Sequence, residues 1–460
     1  MIVGAGVAGL SAAVRLAEAG LEDVTVLEAG QRVGGRVCSQ AIRQVQGAAR
    51  VELGAQWIHG EKDNVVFDIA KKFDFLPAVS ASVEESEAIF IDNEGKLQED
   101  DEQLGNMMKI ISSVEEDMKK MTITHLKEFR NLQEYYEARV NQEMKERGLT
   151  ADSDFASLSS SYLHWYGQLQ GSINGWAWTE TASYQNLVYR ECEGDETTTL
   201  KTELSYQELV EKYADSVLDK VKFDRMVEKV EYSEDNVKIT TSSGDQFLAD
   251  YAVITLPLGV LKADQAKLFS PALPGWKQLA IQQMGFGANA KVFLIFATKI
   301  SEMVPDLRPA GFNFLRTEGS RTESSWTDSV FGLYPDQADP FTLVAWLSGT
   351  AARQVEELPE AELLQGMSWL VSVFLVPAFP HFSLPVTCRV TPWCSSHLSR
   401  GSYSFLGPAS PASSPEVLAR PVGRLLWAGE ASHQHYFSTV HGAMETGWRE
   451  ADRILGLSSG

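Results

Sequence analysis

Three glycines near the start of the chain have the spacing of a phosphate-binding turn. Gly4, Gly6 and Gly9 fit the pattern GxGxxG, between a short apolar run and a segment with helical periodicity. The first glycine permits a tight turn, the second lets a pyrophosphate approach the backbone, and the third lets a helix pack closely on a strand. Glu28 ends the next strand-like run, where a carboxylate accepts hydrogen bonds from a ribose. The spacing predicts a dinucleotide site.

A second glycine pair, Gly34 and Gly35, is followed by Arg36. A nicotinamide dinucleotide does not require this pair. A larger cofactor that extends past the first β-α-β unit would use a second close approach to the backbone and an arginine beside its pyrophosphate. The pair therefore favours FAD over NAD.

Two ionisable residues in apolar surroundings are candidates for chemistry. Lys291 lies in the apolar run 290–296, where a charge is costly, so we expect either a paired lysine or a lowered pKa. The alternative is a lysine at a strand end that reaches solvent. His59 lies between Ile58 and Gly60 and could tune the protonation of a reacting nitrogen. An isolated histidine is more often structural.

The net charge of the chain indicates which kinds of molecule it could bind. With 62 acidic and 40 basic residues the net charge is −22, which argues against nucleic acid and suits cations or simple solubility. Glu191 and Glu193 belong to an acidic run, 191–196, that could face a polycation, although such runs are usually solvated. The four cysteines form no CxxC pair, so neither a disulfide framework nor a metal site is predicted.

Periodicity indicates which elements position these residues. Residues 1–30 form a β-α-β pattern, and 102–147 have helical periodicity with few breakers. Strand patterns return at 227–232 and 237–241, which suit a hairpin, and an apolar strand at 425–428 precedes a helix from about 442. Because nucleotide-type patterns occur at the start, middle and end, we predict two domains threaded through each other.

Four separated motifs resemble those of the flavin amine oxidases. They are Gly4–Gly9, Glu28 with Arg32–Arg36, Gly54–Gly60, and Trp427–Glu430 with Gly442. Within that family the segments 57–60, 286–291, 400–403 and 436–443 are most similar to polyamine oxidases, which include spermine oxidases and N1-acetylpolyamine oxidases.

The resemblance implies an α/β and α+β fold with two interleaved domains. Residues 1–75, 193–283 and 395–460 would form a Rossmann-like FAD-binding domain. Residues 76–192 and 284–394 would form a substrate-binding domain with a mixed sheet and helices.

The resemblance also implies site residues. The predicted cofactor-binding residues are Gly4, Gly6, Gly9, Glu28, Gly34, Gly35, Arg36, Gly54, Ala55, Gln56, Trp57, Val227, Trp393, Gly429, Glu430, Thr439 and Val440. Monoamine oxidases carry a flavin-linking cysteine where this chain has Ser402, so we expect FAD to be non-covalent. Acetylpolyamine oxidases tend to carry a second histidine where this chain has Gln56.

Catalytic and substrate roles follow from the same resemblance. Lys291 would hold a water against flavin N5, Asn289 would hydrogen-bond nearby, and His59 would lie beside the reactive nitrogen. Tyr403 would form one aromatic wall, opposite Thr439. Ser438, Glu191 and Glu193 complete the predicted substrate site.

The function implied is oxidation of spermine or its N1-acetylated relatives, with FAD as cofactor and O₂ as acceptor, giving a shorter amine, an aminoaldehyde and H₂O₂. The alternatives are another flavin amine oxidase, for monoamines or methyl-lysine, or a redox-silent flavin-binding scaffold. We expect a monomer with no nucleic-acid or membrane partner. A cytoplasmic location is favoured because the final residues are not SKL, although a peroxisomal one is also open.

Overall fold

The computed structural model describes residues 1–43, 49–78, 88–98, 102–149, 153–305, 310–317 and 325–458. The chain end, which bears on the peroxisomal signal, lies partly outside these residues. The strands are β1 (Ile2–Val3), β2 (Val26–Leu27), β3 (Ser39–Ala41), β4 (Arg50–Glu52), β5 (Ala88–Asp92), β6 (Val221–Lys222), β7 (Val227–Tyr232), β8 (Val237–Thr241), β9 (Gln246–Ala249), β10 (Ala252–Ile254), β11 (Phe269–Ser270), β12 (Gly285–Phe286), β13 (Asn289–Ile295), β14 (Gly311–Leu315), β15 (Gly332–Pro335), β16 (Thr342–Ser348), β17 (Thr387–Val390), β18 (Ser404–Phe405) and β19 (Leu425–Trp427). The helices are α1 (Val7–Glu18), α2 (Val65–Lys72), α3 (Glu102–Lys119), α4 (Ile123–Leu126), α5 (Leu132–Glu146), α6 (Ser153–Asn174), α7 (Gln185–Val188), α8 (Tyr206–Ala214), α9 (Leu258–Leu268), α10 (Gly275–Gln283), α11 (Ile300–Met303), α12 (Gly349–Glu357), α13 (Glu360–Leu370), α14 (Val376–Ala378), α15 (Ser414–Ala419) and α16 (Val440–Ser458).

A parallel sheet gathers strands from the two ends and the middle of the chain. Its order is β19-β10-β1-β2-β6, and β1 pairs with both β10 and β2. The residues of β1, β2, β10 and β19 are apolar and buried, as expected for a parallel sheet covered on both faces. Because parallel strands end at one edge, the turns after β1, β2 and β19 lie near each other.

A six-stranded mixed sheet forms the second large layer, in the order β17-β13-β16-β15-β14-β5. Each residue of β13 is buried, and Lys291 pairs in register with Trp346 of β16. β5 joins parallel to β14, although the two strands are far apart in the chain.

A helical block packs against that sheet. α3, α5 and α6 meet through buried aromatic residues, among them Tyr135, Tyr136 and Tyr166. α6 lies along β14 and β16, which brings its C-terminal half close to Asn289 on β13. The long helices predicted at 102–147 are present as α3 and α5, with a short α4 between them.

The remaining sheets are smaller. β7 and β8 form the predicted hairpin, in a sheet of order β11-β7-β8-β9. The predicted α/β and α+β class with a nucleotide-type parallel sheet is confirmed, while the boundaries of the two domains stay a prediction.

One described helical stretch, Glu360–Ala378, has the length and hydropathy of a membrane span. This is weak evidence for a membrane span, because helices in the core of soluble proteins can have the same length and hydropathy. Leu370, Phe374 and Leu375 in this stretch are buried in the core beneath the six-stranded sheet.

Candidate active site

A single cavity of about 1880 Å³ is bordered by nearly all of the predicted site residues. Two of them do not line it. Gly9 lies behind the first turn, and Glu193 is exposed on the surface, where its carboxylate is 3.0 Å from Lys62 Nζ. The predicted residues that line the cavity are Gly4, Gly6, Glu28, Gly34, Gly35, Arg36, Gly54, Ala55, Gln56, Trp57, His59, Glu191, Val227, Asn289, Lys291, Trp393, Tyr403, Gly429, Glu430, Ser438, Thr439 and Val440.

The two glycine motifs touch each other at one end of the cavity, and we call residues 4–9 with 34–36 the glycine cradle. A Cβ on Gly35 would lie 3.2 Å from Gly6 Cα, and Gly34 N–H donates to Ala5 O at 2.9 Å. A Cβ on Gly9 would be 2.0 Å from Gly4 O, so close packing requires a glycine there. Gly9 therefore acts through the backbone of the cradle rather than by contact with a ligand.

The cradle leaves donors for an anion. α1 begins at Val7, has no side-chain cap and has no acidic residue in its first turn. Its N-terminal N–H groups and partial positive charge therefore face the cavity. Glu28 accepts the Ala5 and Gly30 N–H groups, both at 2.8 Å, so its carboxylate is held at the cavity edge.

Glu430 connects three distant segments of the site. Its Oε1 accepts from Arg36 Nη1 at 2.8 Å, and its Oε2 accepts from Ser438 N–H at 2.9 Å and from Ser404 Oγ at 2.5 Å. Arg36 also donates to Ser402 O at 2.8 Å. Glu430 is 5 % exposed, so this network fixes the loops around the cavity more directly than it offers a free carboxylate.

The residues present fit FAD. The cavity exceeds the usual size of a small-molecule pocket, as a dinucleotide plus a substrate requires. The glycine cradle supplies phosphate donors, and Glu28 is placed for a ribose. Ser402 Oγ is buried without a hydrogen-bond partner in the described part of the chain. A serine at this position cannot form the thioether by which a cysteine would link a flavin.

Lys291 is buried on β13 and all its donors are used. Its Nζ donates to Glu52 O at 2.6 Å, to Gly54 O at 2.9 Å and to Gln56 Oε1 at 2.8 Å. Nζ also lies 4.5 Å from the ring centre of Trp346. Burial lowers the pKa of Lys291 to about 7, against the opposing pull of Glu52 and Asp336. The three donated hydrogen bonds are those of the ammonium form, whose charge burial opposes.

Asn289 and Tyr403 are tied to the backbone of α6. Asn289 Nδ2 donates to Ser172 O at 2.7 Å and to Tyr403 Oη at 2.6 Å, and the Tyr403 hydroxyl also donates to Ser172 O. Asn289 Oδ1 has no hydrogen-bond partner among the described residues. Burial raises the pKa of Tyr403, so its ring is a neutral wall of the cavity.

His59 has an acidic neighbour. Its Nδ1 is 2.8 Å from Glu196 O and 3.6 Å from Glu196 Oε2. Burial lowers the pKa of His59 and raises the pKa of Glu196 to about 7, with Glu191 and Asp195 adding to the second shift. Glu196 Oε1 is buried and has no hydrogen-bond partner among the residues described.

Thr439, a predicted cofactor-binding residue, lines the cavity and uses its hydroxyl within the chain. Its Oγ1 donates to Tyr436 O at 2.7 Å and accepts from Gly442 N–H at 3.0 Å, so the side chain caps the start of α16. Ser438 lines the cavity with its hydroxyl donating to Ser404 O.

One functional candidate, Trp346, is not predicted from the sequence, and Glu196 is predicted only as part of the acidic run 191–196. Trp346 stacks on Trp57 with ring centres 5.2 Å apart and covers Lys291, a contact that strand register creates. Glu196 lies in the acidic run that drew attention to Glu191 and Glu193. The signal was present, but the path of the loop decides which carboxylates face inward.

Comparison with known proteins identifies the family of this chain. Residues 7–455 match the family model of flavin containing amine oxidoreductases. The human peroxisomal N(1)-acetyl-spermine/spermidine oxidase is 27% identical over 99% of this chain and 94% of its own length. A rice lysine-specific histone demethylase 1 homolog 2 is 30% identical over 100% of this chain and 57% of its own length.

A solved structure of putrescine oxidase bound to putrescine has the same fold. Its TM-score is 0.74 at 18% identity, covering 99% of this chain and 98% of the other. Because the family match extends over nearly the whole chain, this protein belongs to the flavin-containing amine oxidoreductases and uses FAD as its cofactor.

Proposed function

We propose that the protein oxidises polyamines, either spermine or N1-acetylated spermine and spermidine, with O₂ as the electron acceptor. The products would be a shorter amine, an aminoaldehyde and H₂O₂. FAD, when bound, accepts a hydride from the carbon beside the reacting nitrogen and passes the electrons to O₂. The absence of a cysteine at Ser402 supports a non-covalent FAD.

The observation that carries the proposal is the buried, unpartnered Oε1 of Glu196 beside His59 in the cavity. A buried acceptor without a donor is expected to meet one on a ligand. An amine supplies N–H donors, and above pH 7 the carboxylate also supplies the charge that pairs with an ammonium group. Glu191 lines the same cavity and lies close enough to Glu196 to add to the rise in the pKa of that carboxyl.

Side chains of this protein have different roles around the reacting amine. His59, with its lowered pKa, is neutral at physiological pH and accepts a proton or a hydrogen bond. Tyr403 and Trp57 border the cavity with rings that exclude water, and Asn289 holds Tyr403 in place. Lys291 orders the segment 52–56 through its three hydrogen bonds.

Oxygen consumption with a panel of amines tests the proposal. Purified FAD-loaded protein is supplied with spermine, N1-acetylspermine, benzylamine and a dimethyl-lysine peptide, and H₂O₂ is measured in parallel. We expect turnover with spermine or N1-acetylspermine. Turnover of benzylamine alone would support a monoamine oxidase. Turnover of the peptide alone would support a demethylase, in line with the rice relative. No turnover with any amine would leave a redox-silent flavin-binding scaffold as the remaining function.

A cytoplasmic location and a monomeric state are part of the same proposal. The human relative carries the word peroxisomal in its name, so imaging of the tagged full chain beside a peroxisomal marker is the appropriate check.

A further inference from the structure

A chain of hydrogen-bonded polar side chains runs along the side of α6. Tyr166, Gln170 and Asn174 are spaced four residues apart, so they share one face of the helix. Asn174 Nδ2 donates to Gln170 Oε1 at 3.3 Å, and Gln170 Nε2 donates to Tyr166 Oη at 2.9 Å. Gln185 donates to Asn174 Oδ1 at the other end. We call these four residues and Glu115 the polar ladder.

The polar ladder ends on a carboxylate. Tyr166 Oη donates to Glu115 Oε1 on α3 at 2.5 Å. From Gln185 to Tyr166, each side chain donates toward Glu115, so the dipoles of the ladder support a negative charge at that end. The Tyr136 hydroxyl lies 3.1 Å from the Tyr166 hydroxyl, within hydrogen-bond distance beside the ladder.

Glu115 faces the same cavity as the glycine cradle and Lys291, together with Gln170, Asn174, Gln185 and Tyr136. No lysine, arginine or histidine forms an ion pair with Glu115 in the part of the chain that the structure describes. Lys119, which also lines the cavity one helical turn after Glu115, pairs instead with Glu116, with Nζ 3.4 Å from Glu116 Oε1. A half-buried carboxylate without a counterion in a cavity attracts a cationic ligand.

The distance along α6 suits an elongated amine. Ser172 O accepts from Asn289 and Tyr403, and Asn289 is two residues before Lys291 on β13, so we use Ser172 to mark the proposed reacting end. Tyr166 is six residues earlier, about 9 Å along the helix axis. An extended chain of carbon and nitrogen atoms advances about 1.2 Å per bond, so the three-carbon and four-carbon amine spacings of spermine together cover about 11 Å.

We propose that Glu115, oriented by Tyr166, binds the distal ammonium group of an elongated polyamine whose reacting amine lies beside Lys291. The assignment rests on the proposed function and adds to it a selectivity for the length of the polyamine. Glu115 is a specificity-determining residue, and Tyr166 is a positioning residue that acts through it.

Glu115→Gln is the direct test, with Glu116→Gln as the matched control. Both variants remove one negative charge from adjacent positions of α3, but Glu116 is an exposed residue outside the cavity lining. Each is assayed with spermine and with an analogue whose distal ammonium is replaced by methyl. We expect Glu115→Gln to lower kcat/KM for spermine about 10- to 100-fold, with no change for the analogue. Glu116→Gln should match the wild type with both.

Equal spermine kinetics in the two variants, while the wild type oxidises spermine, would overturn the subsite and leave the proposed function intact. Failure of the wild type to oxidise any polyamine would overturn both. FAD content and melting temperature are compared among all variants, so that loss of fold is recognised.

Two further variants keep the test decisive if Glu115→Gln folds poorly. Glu115→Asp keeps the charge and should retain more spermine selectivity than Glu115→Gln; an equal loss would contradict a charge-based site. Tyr166→Phe should raise KM for spermine a few-fold without changing kcat, and should leave the analogue's KM unchanged. If KM for both substrates rises together, Tyr166 has only a packing role and the ladder does not position Glu115.

Discussion

The two ends of the cavity are built in different ways. The glycine cradle is made of backbone from two short stretches, in which side chains are absent at the points of contact. The polar ladder is made of side chains from α3, α6 and α7, brought together by packing. Backbone geometry at the first end suits a cofactor common to a family, and replaceable side chains at the second suit a substrate particular to one member.

The largest expected effect is at the cradle. Gly9→Ala places a Cβ 2.0 Å from Gly4 O, so the turn must shift and we expect a loss of about 4 kcal/mol or more in the free energy of unfolding, with loss of FAD. Gly105→Ala in α3 is the control, since open space surrounds that position, and it should be neutral or slightly stabilising. Denaturant unfolding and flavin content measure both. A stable Gly9→Ala with bound FAD would refute the role assigned to the cradle.

The next effect separates catalysis from structure. Lys291→Met removes three hydrogen bonds and a titrating amine, and we expect kcat to fall about 10²- to 10⁴-fold with FAD retained. Lys277→Met is a matched variant, because Lys277 is also buried and donates to the carbonyls of Val417, Leu418 and Arg420. It should lower the melting temperature but not kcat per bound flavin. Similar kcat losses in the two variants would mean that the loss of any buried lysine accounts for the effect of Lys291→Met.

A smaller effect is expected where the loops are tied together. Glu430→Gln breaks the buried ion pair with Arg36 and weakens the links to Ser404 and Ser438. We expect about 3 kcal/mol of destabilisation and a weaker affinity for FAD. Titration of the apoprotein with FAD measures the affinity. Unchanged FAD binding would show that the network serves only packing.

The smallest effect concerns pH. The Glu196 carboxyl, with its pKa raised to about 7, is neutral below that pH and anionic above it. A cationic amine is therefore bound better as pH rises, and we expect wild-type kcat/KM to exceed that of Glu196→Gln about tenfold above about pH 8, and to match it below about pH 6. Glu203→Gln, an exposed change outside the cavity, is the control. A ratio independent of pH would remove Glu196 from amine binding.

The contrast between the two ends also explains what could be predicted from the sequence. Each glycine turn of the cradle and the β7–β8 hairpin depend on neighbours in the chain, so local spacing and periodicity indicate them. The apolar run marks Lys291 as a candidate but leaves open a lysine that reaches solvent, because its cover by Trp346 depends on the register between β13 and β16, which local pattern does not encode.

The acidic run shows the same limit on a smaller scale. Its composition indicates a negative surface, yet Glu196 turns toward His59 while Glu193 pairs with Lys62 outside. Glu115 carries no local signal at all, because its position is set by the packing of α3 on α6. Side chains that meet through tertiary packing are therefore the part of the site that only the structure reveals.

Anaerobic reduction of bound FAD tests the central claim most directly. The protein is mixed without oxygen with spermine or with benzylamine, and the loss of flavin absorbance is followed in a stopped-flow instrument. Because Glu196 and Glu115 both line the cavity, we expect rapid bleaching by spermine and little by benzylamine. Equal or faster bleaching by benzylamine, or none by any polyamine, would contradict the account.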